Sequence, residues 1–230
     1  MTCRFALFMG LVAVLAATPA RAEFIINQAI LEFNDTSGTQ QDIDMISRSE
    51  GSDYVVTEVY EVRDAGLPSE SKQLVDDPGK SGLVVTPNKT ILAGGSRQVL
   101  RFVLLDPLSD HERIFRVAVK PVVGDLGTSA KMGLKVLVGY EVLVIVRPAT
   151  IAPQFTVERQ GKMLTVKNRG NSNILLQPVE QCAANNPKDC AQTPPARIYP
   201  QQMATVTLPY DAPLTTSIWD GKNTQQKALP

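Results

Sequence analysis

Hydrophobic and polar residues alternate along most of the chain with the two-residue period of a β-strand. Valine, isoleucine, threonine, leucine and aromatic residues form short runs, which glycine, proline, asparagine and aspartate interrupt. No stretch keeps an apolar stripe at helical spacing for several turns. The pattern predicts strands near Phe24–Phe33, Gln41–Ser47, Tyr54–Arg63, Leu83–Thr86, Lys89–Leu92, Gln98–Leu105, Glu112–Pro121 and Gly133–Val146.

A second set of strands follows a short connector that Pro148 and Pro153 bracket. These strands are predicted near Gln154–Arg159, Lys162–Asn168, Asn173–Pro178, Ala204–Pro209, Thr215–Asp220 and Gln225–Leu229. Many short strands with regular turns are typical of antiparallel sandwiches. We therefore expect an all-β protein with two sandwich domains, residues 23–147 and 148–230, and a polar loop over Asp64–Ser81.

The first residues have the form of an export signal. Arg4 supplies a basic start, Phe5–Ala17 is apolar, and Ala20-Arg21-Ala22 has the small-x-small form of a cleavage site. A membrane anchor is the weaker alternative, because the apolar run is shorter than the ~20 residues that a spanning helix needs. We expect cleavage after Ala22, so that residues 1–22 are a signal peptide.

Charge and cysteine content exclude several classes of function. Lys+Arg and Asp+Glu both number 23, so no net charge attracts nucleic acid or an anionic membrane. In an exported chain, Cys182 and Cys190 are expected to form a disulfide across a turn-rich stretch. A metal or redox pair is the alternative, but the spacing is not C-x-x-C and the only histidine, His111, is distant in sequence. We expect no catalytic site, no metal and no cofactor.

The predicted strand that ends at Val146 is longer than a typical strand of about 5–6 residues. One of its faces carries Leu134, Val136, Val138, Tyr140, Val142, Val144 and Val146. Both faces are apolar towards its end, as in a strand buried in a sandwich, but only one is apolar towards its start. Such a segment is either a long core strand or a strand that offers apolar side chains to a partner. The pattern alone favours the long core strand.

Several motifs, in order along the chain, resemble the periplasmic chaperones of the chaperone–usher pathway, which assembles pili. Leu83–Phe102 (LVVTPNKTILAGGSRQVLRF) is similar to the segment before the sixth strand of these chaperones. Asp110–Val117 resembles the acidic-Arg-aromatic stretch of these chaperones. Arg147-Pro148 resembles the end of their donor strand, the strand that they add to a pilus subunit. Val166–Asn173 resembles their Asn-rich hairpin. The two mature cysteines match a disulfide of some members. The alpha-fimbrial, common-pilus-like branch is the most similar.

The resemblance implies two immunoglobulin-like β-sandwich domains in tandem, a periplasmic location and no enzymatic activity. It also implies that the donor strand completes the sandwich of a pilus subunit that lacks one strand, and chaperone–pilin pairs are an established instance of such strand addition. On this basis Leu134, Val136, Val138 and Tyr140 are expected to contact the subunit. The implied partners are major and tip pilus subunits and an outer-membrane usher, without nucleic acid or membrane insertion. Self-association of the free protein is left open.

The sequence departs from the family at the site that binds the C-terminal carboxylate of the subunit. The family uses an arginine on the first strand and a lysine on the donor strand, but the matching positions here are Ile30 and Leu143. Because a buried carboxylate needs a charged partner, a basic residue elsewhere must serve. The candidates, in order of preference, are Arg116, Arg101 and Lys120. For each, the alternative is a solvated charge whose alkyl stem packs on the sheet.

A structural pilus subunit or adhesin of β-sandwich fold is the alternative function. Such subunits usually contain one incomplete domain and an N-terminal donor extension. The two complete sets of predicted strands in this chain favour the chaperone.

Overall fold

The computed structural model describes residues 24–122 and 137–230, and these residues form two β-sandwich domains. The signal peptide predicted over residues 1–22 and the predicted binding residues Leu134 and Val136 lie outside the described residues. The strands of the first domain are β1 (Phe24–Ile26), β2 (Ile30–Phe33), β3 (Gln40–Ser47), β4 (Asp53–Arg63), β5 (Ser71–Leu74), β6 (Leu83–Thr86), β7 (Lys89–Leu92), β8 (Arg97–Leu104), β9 (Arg113–Val122) and β10 (Tyr140–Val146). Within the described residues, one short helix, α1 (Pro78–Ser81), lies between β5 and β6.

The first domain packs a four-stranded sheet against a six-stranded sheet. The four-stranded sheet has the order β1-β3-β8-β6, and the six-stranded sheet has the order β2-β10-β9-β4-β5, with β7 also paired to β4. Alternating side chains of both sheets meet in one core, whose fully buried aromatic residues are Phe24, Phe33, Phe102 and Phe115. The prediction of an all-β protein is confirmed.

The first predicted strand is in fact two strands that belong to different sheets. β1 pairs antiparallel with β3 of the four-stranded sheet, whereas β2 pairs parallel with β10 of the six-stranded sheet. The crossing occurs at residues 27–29, where the polar residues Asn27 and Gln28 interrupt the apolar alternation. Because of this crossing, β2 lies beside the last strand of the domain.

The second domain contains β11 (Phe155–Gln160), β12 (Met163–Asn168), β13 (Ile174–Leu176), β14 (Glu180–Ala183), β15 (Asn186–Gln192), β16 (Ala196–Ile198), β17 (Met203–Thr207), β18 (Leu214–Trp219) and β19 (Thr224–Leu229). Its sheets have the orders β11-β12-β17 and β16-β13-β18-β19. They enclose a separate apolar core that includes Leu164, Val166, Leu176 and Ile218. The hairpin β14-β15 stands apart, and a disulfide joins its register partners Cys182 and Cys190, which confirms that prediction.

The predicted loop Asp64–Ser81 contains the edge strand β5 and the helix α1, so this prediction was wrong in part. All four side chains of β5 are exposed, because the strand has only β4 beside it and needs no apolar face. Asp77 caps the start of the helix, and its Oδ1 accepts a hydrogen bond from the Gly79 amide at 3.0 Å. Gly82 caps the end of the helix, and its φ of 70° is the left-handed conformation that glycine adopts at little cost.

An apolar cluster connects the two domains. Val62, Ile114, Leu143 and Ile145 lie on the side of the six-stranded sheet that faces away from the core, and Tyr199 of the second domain packs against them. We call this side of the six-stranded sheet the cleft face. Tyr199 covers one end of the cleft face and therefore fixes where the second domain stands against it.

A buried ionic cluster lies beside this apolar contact. Arg147, which directly follows β10, is fully buried, and its guanidinium binds both carboxylate oxygens of Glu32 at 3.0 Å. The same guanidinium donates to Glu112, to the Ser172 hydroxyl at 2.8 Å and to the Asn173 carbonyl at 2.7 Å. A buried guanidinium is costly unless its donors are satisfied, and here residues of both domains satisfy them. None of the helical residues in 24–122 and 137–230 forms a segment long and apolar enough to cross a membrane.

Candidate functional site

The outer edge of β10 is open along its first residues. β9 pairs with β10 from Tyr140 to Val146, but β2 covers the other edge only from Leu143 onwards. The Leu143 amide donates to the Ala29 carbonyl at 2.9 Å, so by the alternation of a strand the backbone of Glu141 also points to this edge. Among the described residues no strand lies beside Tyr140–Val142 on that side. This edge can therefore accept another strand.

The apolar side chains of β10 change from buried to exposed towards its start. Val142, Val144 and Val146 are fully buried in the first core. Tyr140 is half-buried: its ring centroid lies 5.3 Å from that of Phe24, and its hydroxyl donates to the Phe24 carbonyl at 3.0 Å. Val138, which has the same parity, is 42% exposed. Tyr140 thus marks the boundary between side chains that fill the protein's own core and those that do not.

The predicted strand Gly133–Val146 is shorter in the described residues, because β10 begins only at Tyr140. Residues 137–139 are described but belong to no strand. The register places residue 138 opposite Pro121 of β9, which has no amide proton to donate. Residues 137–139 are consequently held less firmly to their own sheet than β10 is.

The two positions where the sequence lacks the expected cations are neighbours. Ile30 and Leu143 are register partners across the parallel pair β2-β10, and Ile30 is 44% exposed. Arg116 of β9 is the register partner of Leu143 on the other side. Ile30, Leu143 and Arg116 therefore form one row across β2, β10 and β9 on the cleft face. Of the three predicted cations, Arg116 is the one that lies beside Ile30 and Leu143.

The guanidinium of Arg116 is incompletely paired. Its side chain is 28% exposed, and its Nε lies 3.7 Å from Oε1 of Glu141. That Nε atom is buried and has no hydrogen-bond partner among the described residues. A buried donor without an acceptor costs free energy, so an added acceptor would be favourable here.

The other two candidate cations are already paired with carboxylates of the chain. Arg101 belongs to β8 of the four-stranded sheet, where it makes two hydrogen bonds of 2.9 Å to the Asp42 carboxylate. Lys120 lies on the cleft face, but its Nζ binds Glu58 at 2.6 Å. Hydrogen bonds from Lys120 and then from Tyr60 hold the pKa of the Glu58 carboxyl below its usual range. Arg101 therefore lies in a different sheet from β10, and the charge of Lys120 is already neutralised by Glu58.

Two further cations of this region were missed in the sequence. Lys72 of β5 reaches Glu141 with an Nζ–Oε2 distance of 2.5 Å, although its strand was predicted as a loop. Arg197 of β16 is largely buried and donates to Oδ1 of Asn173. Burial lowers the pKa of its guanidinium, and the charge of Glu32 opposes that shift. No sequence signal marks either residue, because only the pairing of the sheets and domains brings them here.

Comparison with known proteins finds similarity to fimbrial proteins in sequence and in fold. No protein-family model matches it. A CS1 fimbrial protein of Escherichia coli, named as a subunit of these fimbriae, is 28% identical over 191 residues, which is 79% of this chain and 79% of that protein. The identity is too low to assign a function, but the match extends over most of both chains.

Solved structures match over nearly the whole chain. The class 5 fimbriae chaperone CfaA has a TM-score of 0.62 at 20% identity, and the match covers 90% of this chain and 99% of CfaA. A chain of the complex between the Salmonella enterica SafA pilin and the SafB chaperone gives 0.61 at 14% identity, covering 92% and 99%. The Escherichia coli chaperone DraB gives 0.59 at 18%, covering 90% and 97%.

The chain has the fold of the fimbrial chaperones. The prediction of two immunoglobulin-like β-sandwich domains in tandem is thereby confirmed. Of these three structures, two are of a chaperone and one is of a complex of a chaperone with a pilin.

Proposed function

We propose that this protein is a periplasmic chaperone that binds pilus subunits by lending them the start of β10 and the segment before it. The observation that carries the proposal is the open edge of β10, where the strand loses β2 as a neighbour and its side chains become exposed. An open edge offers unpaired backbone groups, and the exposed valine beside it offers apolar surface.

The binding residues proposed are Leu134, Val136, Val138 and Tyr140. Val138 is exposed and Tyr140 is half-buried, whereas Leu134 and Val136 are included on the alternation of the sequence alone. Full burial of an aliphatic side chain contributes about 1.5–3 kcal/mol. Part of that gain is offset by the ordering of the strand on binding. Tyr140 contributes least, because its ring already packs against Phe24.

Arg116 is the proposed anchor for the C-terminal carboxylate of the pilus subunit. Its position in one row with Ile30 and Leu143 supports this choice, and so does its Nε, which has no hydrogen-bond partner among the described residues. A carboxylate at this place would receive a charge-assisted hydrogen bond, which is stronger than a neutral one. Arg101 and Lys120 rank behind it, because each already binds a carboxylate.

The alternative is a structural fimbrial subunit, and the name of the CS1 relative favours it. A subunit that polymerises by strand exchange has one incomplete sandwich. Here the described residues form two sandwiches, each with a closed apolar core of its own, which favours the chaperone. The binding role needs neither a catalytic group nor a cofactor. Cleavage after Ala22, periplasmic location and delivery of subunits to an outer-membrane usher belong to the same proposal.

Co-purification from the periplasm tests this function. The protein, with an affinity tag on its second domain, is produced together with a fimbrial subunit of its source organism. We expect a soluble one-to-one complex, and we expect the subunit to be lost to degradation or aggregation when the protein is omitted. Fibres that incorporate the tagged protein itself would instead establish the structural role.

A further inference from the structure

Glu141 stands between two cations that come from different parts of the six-stranded sheet. Its Oε2 lies 2.5 Å from Nζ of Lys72, and its Oε1 lies 3.7 Å from Nε of Arg116. Lys72 belongs to β5 and Glu141 to β10, and β4 and β9 lie between these strands. The ion pair therefore spans the cleft face above the two central strands.

The contacts of the two cations with this carboxylate are unequal. Lys72 is at hydrogen-bonding distance, whereas Arg116 is too far for a hydrogen bond, and its buried Nε stays unsatisfied among the described residues. The Glu141 carboxylate thus lies near both cations but accepts a hydrogen bond only from Lys72. A carboxylate that approached from outside the chain could satisfy both.

Displacement of Glu141 from this place would cost little. Lys72 is 41% exposed and Glu141 is 40% exposed, so both side chains can be solvated when they separate. Ion pairs of this exposure contribute little to stability. In contrast, Glu112 is buried beside Arg147 and could not be released in the same way.

We propose that Arg116 and Lys72 form a carboxylate-binding site, and that Glu141 is its internal occupant, which a carboxylate of the partner displaces. If the proposed function holds, that carboxylate is the C-terminus of the pilus subunit, because the site adjoins the open edge of β10. Glu141 then competes with the carboxylate of the subunit and lowers the affinity of the site, and in the free protein it keeps Lys72 paired.

Acetate provides a probe that does not depend on any pilus protein. The Nε–Hε resonance of Arg116, assigned through its loss in Arg116→Lys, is followed by NMR while sodium acetate is added at constant ionic strength. We expect a saturable shift, with a midpoint about two- to fivefold lower in Glu141→Gln than in the unmodified protein, which is the factor that a partly exposed ion pair supplies. Lys72→Ala should raise the midpoint, and acetamide should cause no shift.

Glu58→Gln is the matched control, because Glu58 also binds a lysine on the cleft face, Lys120, but makes no contact with Arg116 in the described residues. Its midpoint should equal that of the unmodified protein. The proposal is overturned if acetate does not shift Arg116 saturably, or if Glu58→Gln and Glu141→Gln behave alike.

Affinity for pilus subunits separates this inference from the proposed function. A subunit with a free C-terminal carboxylate should bind Glu141→Gln two- to fivefold more tightly, and a C-terminally amidated one should not distinguish the variants. If pilus subunits do not bind while acetate still reports the site, the chaperone function is wrong and the carboxylate site stands. If they bind but neither acetate nor Glu141→Gln has an effect, the function stands and the site is wrong.

Discussion

Glu112 of the first domain accepts two hydrogen bonds from Asn173 of the second, one from the backbone amide at 2.9 Å and one from Nδ2 at 2.7 Å. The same carboxylate oxygen also accepts from the Ser172 hydroxyl at 2.6 Å and faces Arg147 at 3.3 Å. One oxygen atom thus collects donors from both domains, next to the point where the chain passes from one to the other. This contact and the packing of Tyr199 on the cleft face together hold the two sandwiches against each other.

Replacement of Glu112 by alanine should destabilise the protein by about 3–5 kcal/mol, because it removes one partner of a buried guanidinium and leaves several donors unsatisfied. Calorimetry of the full chain measures the loss, and the fluorescence of Trp219 reports the second domain. Asp42→Ala is the control, since Asp42 pairs at 2.9 Å with Arg101 and both side chains are well exposed, 37% and 47%. It should cost at most about 1 kcal/mol. Equal losses in the two variants would contradict a special role for Glu112.

The fold was largely predictable because most strands have one apolar face. β4, β6, β7 and β9 lie where the alternation of the sequence predicts them, with ends shifted by a residue at most. The edge elements were missed for the opposite reason: β5 and β15 expose every side chain, so no apolar alternation marks them. The split of the first predicted strand depends on which sheet each half joins, and this is a tertiary property.

The site was predictable only in part. The apolar segment before Val146 is longer than a typical strand, but its pattern is equally that of a long core strand, and only the resemblance to pilus chaperones pointed to a binding strand. The charges could not be placed, because Lys72 and Glu141 are 69 positions apart and meet only after four strands have paired. In the sequence, Arg147 only follows an apolar strand. Its burial could not be predicted, because it depends on contacts with Ser172 and Asn173 of the second domain.

Val138→Asp should abolish capture of pilus subunits while the protein stays folded. Val138 is exposed in the free protein, so a charge there is solvated and costs little stability, but in a complex it would be buried without a partner. The measurement is recovery of the one-to-one complex from the periplasm, combined with the thermal unfolding temperature of the free variant.

Leu105→Asp is the control for this experiment. Leu105 is 52% exposed, close to the 42% of Val138, but it follows β8 of the four-stranded sheet and not the six-stranded sheet that contains β10. Its substitution should leave recovery of the complex unchanged. Loss of recovery in both variants would indicate a general effect of an added negative charge.

Arg116→Ala should weaken the affinity for pilus subunits about tenfold or more, which corresponds to the roughly 1.5–3 kcal/mol of a hydrogen bond to a charged group. Arg116→Lys should restore part of the affinity, because the charge returns without the geometry of the guanidinium. Isothermal titration with a purified pilus subunit measures both. If Arg116→Ala binds the subunit as tightly as the unmodified protein does, Arg116 is not the carboxylate anchor and is a solvated surface charge.

The Glu58 carboxyl should titrate differently when Lys120 is replaced by glutamine. Hydrogen bonds from Lys120 and then from Tyr60 lower its pKa from 4.5, so their stabilising effect is present above that pH and is lost as the pH falls. Lys120→Gln removes the larger cause, and the pKa of Glu58 should rise towards 4.5. NMR titration of the side-chain carboxyl carbons measures it. Asp42, whose pKa Arg101 lowers on the opposite sheet, is the internal reference and should not change. If Glu58 keeps its low pKa in the variant, the contact with Lys120 does not cause the shift.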